Sequence, residues 1–447
     1  MNRRNASYRG QGQHRHTVER REVHAQPSRR YSSSARLSQT NQRQKASSRQ
    51  SMNHSDAHSY SRKNQTLYAG ARKTRSRGKF ILLPLLAGIV IIALLAFPLK
   101  NFITTSQTGT SQTSDQSEEE TPAISDVEQT STSITLSFAG DCTLGTDEYF
   151  DYSTSFNAVY DDVDDPSYFM ENVADIFSED DYTIVNMEGT LTESTSRQDK
   201  TYAFKGPAEY ANILSAGSIE AASLANNHSH DYGDASYTDT IEALDDAGIL
   251  SFGYDRIGYA DIKGVKVAFI GTYMLAEGLG IQDEMVSNIE TAREEGAQVV
   301  IVFAHWGVER ETVPTTEQVE LGHIAIDAGA DLVVGSHPHV IQGYEKYNGR
   351  YIVYSLGNFC FGGNKNPSDK DCMIFQQTFT VSGDDVATDD DIQVIPCSVS
   401  SASGYNNYQP TPAEGSEKER ILEKIESSNA SIAEISEALS DDSSDSA

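Results

Sequence analysis

An uncharged run of 20 residues, FILLPLLAGIVIIALLAFPL at 80–99, divides this chain into two unlike parts. At about 1.5 Å per helical residue it reaches roughly 30 Å, the thickness of a bilayer's hydrocarbon core. The segment ARKTRSRGK just before it is basic, and the positive-inside rule assigns such a flank to the cytoplasm. No A-x-A cleavage site follows, and the upstream region exceeds the roughly 15–30 residues of a secretory signal. The expectation is one uncleaved transmembrane helix in the cell membrane. Residues 1–79 then stay in the cytoplasm, and residues 101–447 face the outside.

Charge divides at the same place. Residues 1–79 hold 19 Lys/Arg against 3 Asp/Glu, a net of +16, while residues 101–447 hold 15 against 62, a net of −47. The basic arm has few large apolar residues and cannot bury a core, so disorder is expected there. Its five histidines have no metal-ligand spacing. Its charge suits anionic lipid heads or an acidic cytoplasmic partner. No recognition module accompanies it, so no nucleic acid is expected as a partner. Residues 100–131 are rich in Ser, Thr, Gln and Glu and resemble a flexible stalk. Residues 401–447 form a polar, acidic tail, with a helical pattern at EKERILEKIESSNASIAEISEAL.

That leaves 132–400 as the folded domain. ITLSFAG, YTIVNME, AASLAN, VKVAFIG, VVIVFAH, DLVVG and YIVYSLG have the short apolar runs of buried strands. SYTDTIEALDDAG and TEQVELGHIAIDAGA have helical spacing and end at glycine. Strands alternating with helices point to an α/β fold. MIFQQTFTV and DIQVIPCSV follow without a helix between them, which suggests a late antiparallel pair. The four cysteines, Cys142, Cys360, Cys372 and Cys397, all lie on the outward side, where disulfides persist. Cys360 and Cys372 flank an expected loop and are the favoured pair; four free, buried thiols are the alternative.

Polar residues gather at the strand ends. Asp141 ends the first strand; Asn186 and Glu188 end the second. SLANNHSHD brings Asn226, Asn227, His228, His230 and Asp231. His305, His337, His339 and Asn358 close later strands. Five of the six histidines beyond residue 100 fall at such ends; His323 lies in a helical pattern and is an ordinary helix residue. In open α/β sheets, ligands bind at the carboxyl ends of strands. Carboxylate oxygens with imidazole nitrogens suit a divalent transition metal, Mn, Fe or Zn, as one or two ions. In GSHPHVIQG, Pro338 is expected to hold the chain extended, aiming both histidines at one place. The flanking Gly335 and Gly343 are expected to let backbone and substrate come close.

GD at 140–141, NMEG at 186–189, FKGP at 204–207, LANNHSHDYG at 224–233, AHWGVE at 304–309, GADLVVGSHPHVIQG at 329–343 and YSLGNF at 354–359 occur in order. This set resembles the CapA family of poly-gamma-glutamate capsule-synthesis proteins. That family is similar to calcineurin-like metallophosphoesterases, which implies a four-layer α/β/β/α sandwich. The resemblance makes Asp141, Glu188, Asn227, His305, His337 and His339 metal ligands, with Glu188 bridging. It makes His228 the catalytic histidine, with Asp231 beside it as a second catalytic candidate. Lys205, Asn186 and Asn358 are candidate substrate-binding residues. The phosphoesterase D-x-H opening has Thr143 in place of histidine here, and Glu188 replaces the usual bridging aspartate.

Two functions follow. One is a metal-dependent hydrolase acting on a phosphoester or a polymer amide. The other is a non-hydrolytic component that holds an anionic surface polymer beside a membrane synthase complex. The −47 charge disfavours broad surface binding of a polyanion, so contact with a polymer should be local. A purely structural surface protein is a third class, and it leaves the histidines at the strand ends unexplained.

Overall fold

The computed structural model describes residues 131–387 and 391–445. The basic arm, the apolar run and the stalk up to residue 130 lie outside the described residues. Among the described residues, no helix is long and apolar enough to cross a membrane.

Alternation of apolar residues along the strands sets the architecture. In the strand Val299–His305, Val299, Ile301 and Phe303 enter one core, while Val300, Val302 and Ala304 enter another. Val265–Tyr273 divides the same way, Val267 and Phe269 to one side, Ala268 and Ile270 to the other. In Tyr182–Met187, Ile184 faces the first core while Val185 and Met187 face a third. One core is thus shared by two sheets, and each sheet has its own outer core.

Helices fill those outer faces. Phe156–Val163, Ala174–Ser178, Asn212–Ala216 and Asp234–Asp246 contribute Phe156, Phe177, Leu214 and Leu244 to the core outside the first sheet. Gln282–Glu294 and Thr316–Asp327 bury Ile289 and Leu321 outside the second. The second of these helices starts at a capping box, where Thr315 and Gln318 satisfy each other's backbone N–H groups.

The first sheet runs Thr411–Pro412, Ile392–Ser398, Asp371–Ser382, Thr132–Thr143, Tyr182–Met187, Ala221–Ser223, Leu250–Phe252. The last four are mutually parallel, and Asp371–Ser382 is antiparallel to both of its neighbours. The second sheet runs Ile341–Tyr347, Arg350–Leu356, Leu332–Ser336, Val299–His305, Val265–Tyr273, Gly258–Ile262, parallel except at its two edges. The protein is an α/β fold built on mixed sheets, and its late pair is antiparallel, with Phe375 opposite Val394.

The expected Cys360–Cys372 disulfide is not formed. All four cysteines are free and buried. Cys372 lies inside the strand Asp371–Ser382, where its cross-strand neighbour is Cys397. Burial pushes the Cys142 and Cys397 thiols up to about 12, so neither is an attacking thiolate near neutral pH.

The packed structure continues past Ser400. The helix Gly415–Asp445 buries Ile421, Ile425 and Ile432 and lies along the edge strand Ile341–Tyr347. The edge N–H of Gly343 donates to Ser428 Oγ at 2.8 Å, and that of Tyr344 to Asn429 Oδ1 at 2.7 Å. An otherwise open sheet edge is thereby covered. A Cβ on Gly343 would stand 2.0 Å from Asn429 Oδ1, so the close approach that glycine permits here is to the helix, not to substrate.

Buried Asp371 also ties this helix, accepting from Arg420 at 2.6 and 2.8 Å and from Lys424 at 3.1 Å. Burial raises the Asp371 carboxyl, but the two cations outweigh it and hold it below the usual carboxylate range. A carboxyl depressed in the folded state stabilises fully above its unfolded pKa and loses that contribution as pH falls through its folded pKa. Asp371→Asn should therefore cost about 1.5–3 kcal/mol at pH 7. In urea unfolding, the gap between variant and parent should close as pH drops below about 4. A gap that does not change with pH would exclude the ion pair as its source.

Candidate metal centre

Strand ends from both sheets meet at one point. Thr132–Thr143 and Tyr182–Met187 bring Asp141 and Glu188; Val299–His305 and Leu332–Ser336 bring His305 and the His337–Pro338–His339 turn. Two glycines permit the approach. A Cβ on Gly140 would lie 1.9 Å from the Gly357 carbonyl, and one on Gly335 would lie 2.0 Å from that of Tyr354. Asp141 N–H instead donates to the Gly357 carbonyl at 3.0 Å, which joins the first strand to the turn leading to Asn358.

Asp141 is fully buried. It accepts from Asn186 Nδ2 at 2.8 Å and from the His337 backbone N–H at 3.4 Å, and its Oδ2 lies 3.2 Å from His339 Nδ1. Glu188 is equally buried, yet neither of its carboxylate oxygens has a hydrogen-bond partner. Oε1 lies 3.6 Å from His305 Nε2 and 4.0 Å from His228 Nε2, and Oε2 lies 3.8 Å from His339 Nδ1. Buried His337 Nδ1 is also without a partner. His305 is clamped by Asn227 Oδ1 at 2.7 Å and Ser336 Oγ at 2.9 Å.

The two histidines of the turn are not in extended backbone. His337 has φ 95° and His339 has φ 57°. The extended chain expected around Pro338 is replaced by a tight turn in which both flanking residues adopt a conformation rare for non-glycine residues. Such conformations persist where the surroundings over-determine them, and here both rings are held in the cluster.

Burial, with Asp141 nearby, pushes Glu188 well above the ordinary carboxylate range. Burial and the neighbouring histidines push His305 and His337 well below the ordinary imidazole range, so both are neutral and fit to ligate. Burial would lower His339 too, but Glu188 and Asp141 outweigh it and lift the ring to about 10. Glu188, His337 and His339 offer ligand atoms all within 4.8 Å of one another. Two orphaned carboxylate oxygens and an orphaned imidazole nitrogen in one buried spot fit a divalent cation.

Beside this cluster stands a second constellation. His228 Nδ1 is 2.7 Å from Asp231 Oδ2, and the carboxylate accepts that N–H, which leaves Nε2 directed toward Glu188. Lys200 Nζ donates to Asp231 Oδ1 at 2.6 Å and to the Asn227 carbonyl at 2.8 Å. Phe204 N–H adds a further bond to Asp231 at 2.5 Å. Burial would raise Asp231, but His228 and Lys200 outweigh it and hold the carboxyl below its usual range; burial lowers His228.

The three candidate substrate residues have different surroundings. Asn358 lines the cavity next to the cluster, and its Oδ1 is 2.9 Å from His339 Nδ1. Asn186 is fully buried and spends its amide on Asp141, His305 and Asn226. Lys205 turns to the Ser194 carbonyl at 2.8 Å and stands over the Tyr232 ring. Its place as the lysine beside the histidines is taken by Lys200, which no motif marks. The only signal for it is that a buried aspartate needs a counter-charge. His230 faces away, near Asp234 and stacked on Tyr237, and His323 pairs with Glu345 at 2.8 Å.

Buried carboxylates and neutral histidines on two sheet ends thus define a candidate metal-site protein of the α/β class. Residues 135–363, just over half the chain, match the family described as "Bacterial capsule synthesis protein PGA_cap", and the chain belongs to that family. It is 32% identical over 210 residues to "PGA biosynthesis protein CapA" of Bacillus subtilis (strain 168), covering 42% of this chain and 55% of that protein. It is 29% identical over 220 residues to "Capsule biosynthesis protein CapA" of Bacillus anthracis, covering 43% and 54%. The chain spans about half the length of the curated relatives it matches. Among solved structures, a hypothetical protein from Thermus thermophilus is similar at 15% identity and a TM-score of 0.37, over 59% of this chain and 98% of that one.

Lys200→Met leaves the buried Asp231 with only the His228 Nδ1 and Phe204 N–H hydrogen bonds and no lysine, and should cost about 3–5 kcal/mol. Adding Asp231→Asn should recover part of that loss. Urea unfolding of the two single variants and the double variant measures the coupling, and strictly additive losses would exclude it.

Proposed function

We propose that this chain is a membrane-anchored, outward-facing component of poly-gamma-glutamate capsule synthesis whose domain holds one or two divalent cations, Mn, Fe or Zn. The observation that carries the metal is the orphaned set Glu188 Oε1, Glu188 Oε2 and His337 Nδ1, buried among ordered ligating groups. Asp141, Asn227, His305, His337 and His339 stand around Glu188 as the remaining ligands. The capsule role is supported by the family and by the names of the Bacillus relatives. The helix–sheet–sheet–helix packing supports a four-layer, metallophosphoesterase-like reading of the fold. The anchor is supported by the apolar run at 80–99 and by the change of charge across it. The partners are then the bilayer, an anionic surface polymer and a membrane synthase complex.

A bound divalent cation supplies Lewis acidity and lowers the pKa of water it binds. The chain's own residues do the rest. Asn186 and Asn226 orient Asp141 and the loop that carries Asn227. Ser336 holds the His305 ring. Asp231 fixes the His228 tautomer so that Nε2 faces the reaction side.

Metal content tests the site. The purified chain should carry about one to two equivalents of metal by mass spectrometry, and His337→Ala/His339→Ala should lose them while retaining its circular dichroism. A metal-free parent, even after incubation with Mn and Zn, would sink the metal centre.

The His228–Asp231–Lys200 arrangement favours a second reading, a surface hydrolase of phosphoesters or polymer amides not tied to this polymer. Its imidazole is aligned for general acid–base work. Under that reading His228→Ala should cut turnover by about 10²–10⁴-fold with metal content unchanged. Equal turnover in the variant would leave only the binding role.

A further inference from the structure

Among the described residues there are six arginines, and five have a partner. Arg197, Arg293 and Arg420 are paired with carboxylates at 2.6–2.8 Å, Arg350 with Asp331 at 3.2 Å, and Arg256 with the Ser251 carbonyl at 2.9 Å. Arg310 alone is exposed without an ion pair or hydrogen bond to its guanidinium. Its backbone, by contrast, is fixed. It adopts φ 66°, and its N–H donates to the Pro338 carbonyl at 2.8 Å, so it is joined directly to the turn that presents His337 and His339.

Arg310 and Lys365 line a cavity of about 480 Å³ together with His228, His339 and Asn358. Lys365 likewise makes no side-chain bond among the described residues. Three acids also line this space, and two are already engaged. Asp151 accepts from Ser153 N–H and Oγ, and Asp369 accepts from Lys424 at 2.6 Å. Glu309 is the third. Lys365 acts on Asp151 through charge alone, and Glu309 stands beside Arg310, so the two cations do not make the cleft positive as a whole; what sets it apart is that the Arg310 guanidinium is left without a bonded partner. Leaving an arginine fork unpaired makes physical sense where an oxyanion is to be received, because its donors match two oxygens of a carboxylate or a phosphate.

We propose that Arg310, assisted by Lys365, is an anion-binding specificity residue. It receives a carboxylate or phosphate group of the substrate next to the bond presented to the Glu188–His337–His339 cluster. This rests on the cluster being the reaction centre, and it adds a requirement: the substrate carries a second anionic group within reach of the turn. With a net of −47 over residues 101–447 and three acids in the cleft itself, a polyanion is then received through the local contact at Arg310 and not through a broad attractive field.

The test is direct binding to the full chain in detergent after dialysis against chelator, so that metal neither contributes nor competes. The probes are a short oligo-gamma-glutamate, a glycerol-phosphate oligomer of equal charge, and oligo-gamma-glutamine as the neutral isostere. The parent should bind at least one anionic oligomer more tightly than the neutral one, and the tighter arm names the anion. Arg310→Ala should weaken that binding by about tenfold or more, and Arg310→Lys by less, because a point charge replaces a fork. Arg256→Ala removes the same charge elsewhere and should change it less than about twofold. Equal loss in Arg310→Ala and Arg256→Ala, unchanged binding in Arg310→Ala, or no preference for either anion would each overturn the proposal. Metal content of the same preparations before dialysis reports on the cluster separately, so the two failures cannot be confused.

Discussion

Two carboxylates buried side by side are the constraint around which this domain is arranged. Asp141 and Glu188 are both inaccessible to water, and burying an ionised carboxylate without a partner costs several kcal/mol. Asp141 is compensated by Asn186, the His337 N–H and His339. The Glu188 carboxylate accepts no hydrogen bond at either oxygen. The upward shift of Glu188 comes from burial and Asp141, and the rise of His339 to about 10 from the Glu188 and Asp141 carboxylates, so both express one deficit of positive charge in the cluster. A divalent ion meets the same need with a fixed geometry. The close contacts at Gly140 and Gly335 bring the two sheets' ends, and the candidate ligands Glu188, His337 and His339, close together.

Much of this was legible in the sequence because it depends on local periodicity. Strands such as VVIVFAH are apolar on both faces because one face meets the other sheet and the other meets helices. The polar residues at their ends stand out for that reason, and Asp141, Glu188, Asn227, His228, His305, His337 and His339 all gather at the cluster. What stayed hidden depends on contacts distant in the chain. Lys200 comes from a loop without pattern and reaches Asp231 only through the fold. Lys205, two residues before Pro207 in FKGP, lies in a three-residue strand and turns to Ser194 instead. The cysteine pairing failed because the expected flank of a loop is the interior of a strand, where register sets Cys372 opposite Cys397. The turn at Pro338 defied local preference because tertiary contacts hold both histidines at positive φ.

The last helix is less remote from the site than its place in the chain suggests. Ser428 Oγ accepts from Gly343 N–H and donates to the Thr312 carbonyl at 2.9 Å. One strand residue away, Gln342 Nε2 donates to the Glu311 carbonyl at 2.9 Å. Arg310 N–H then reaches the Pro338 carbonyl. Helix, edge strand, the 309–312 segment and the histidine turn are therefore linked by consecutive hydrogen bonds. A helix that only covered a sheet edge would need apolar contacts such as Ile421 and Ile425 and acceptors for the edge N–H groups, and no bond to the 309–312 segment. The polar bonds from Ser428 and Gln342 fall instead on the segment that carries Arg310. Loosening the helix should thus free that segment before it disturbs the strands, because the strands keep their own ladders while 309–312 belongs to no ladder and leans on these bonds. The geometry of the cleft and the docking of the last helix are two aspects of one packing arrangement.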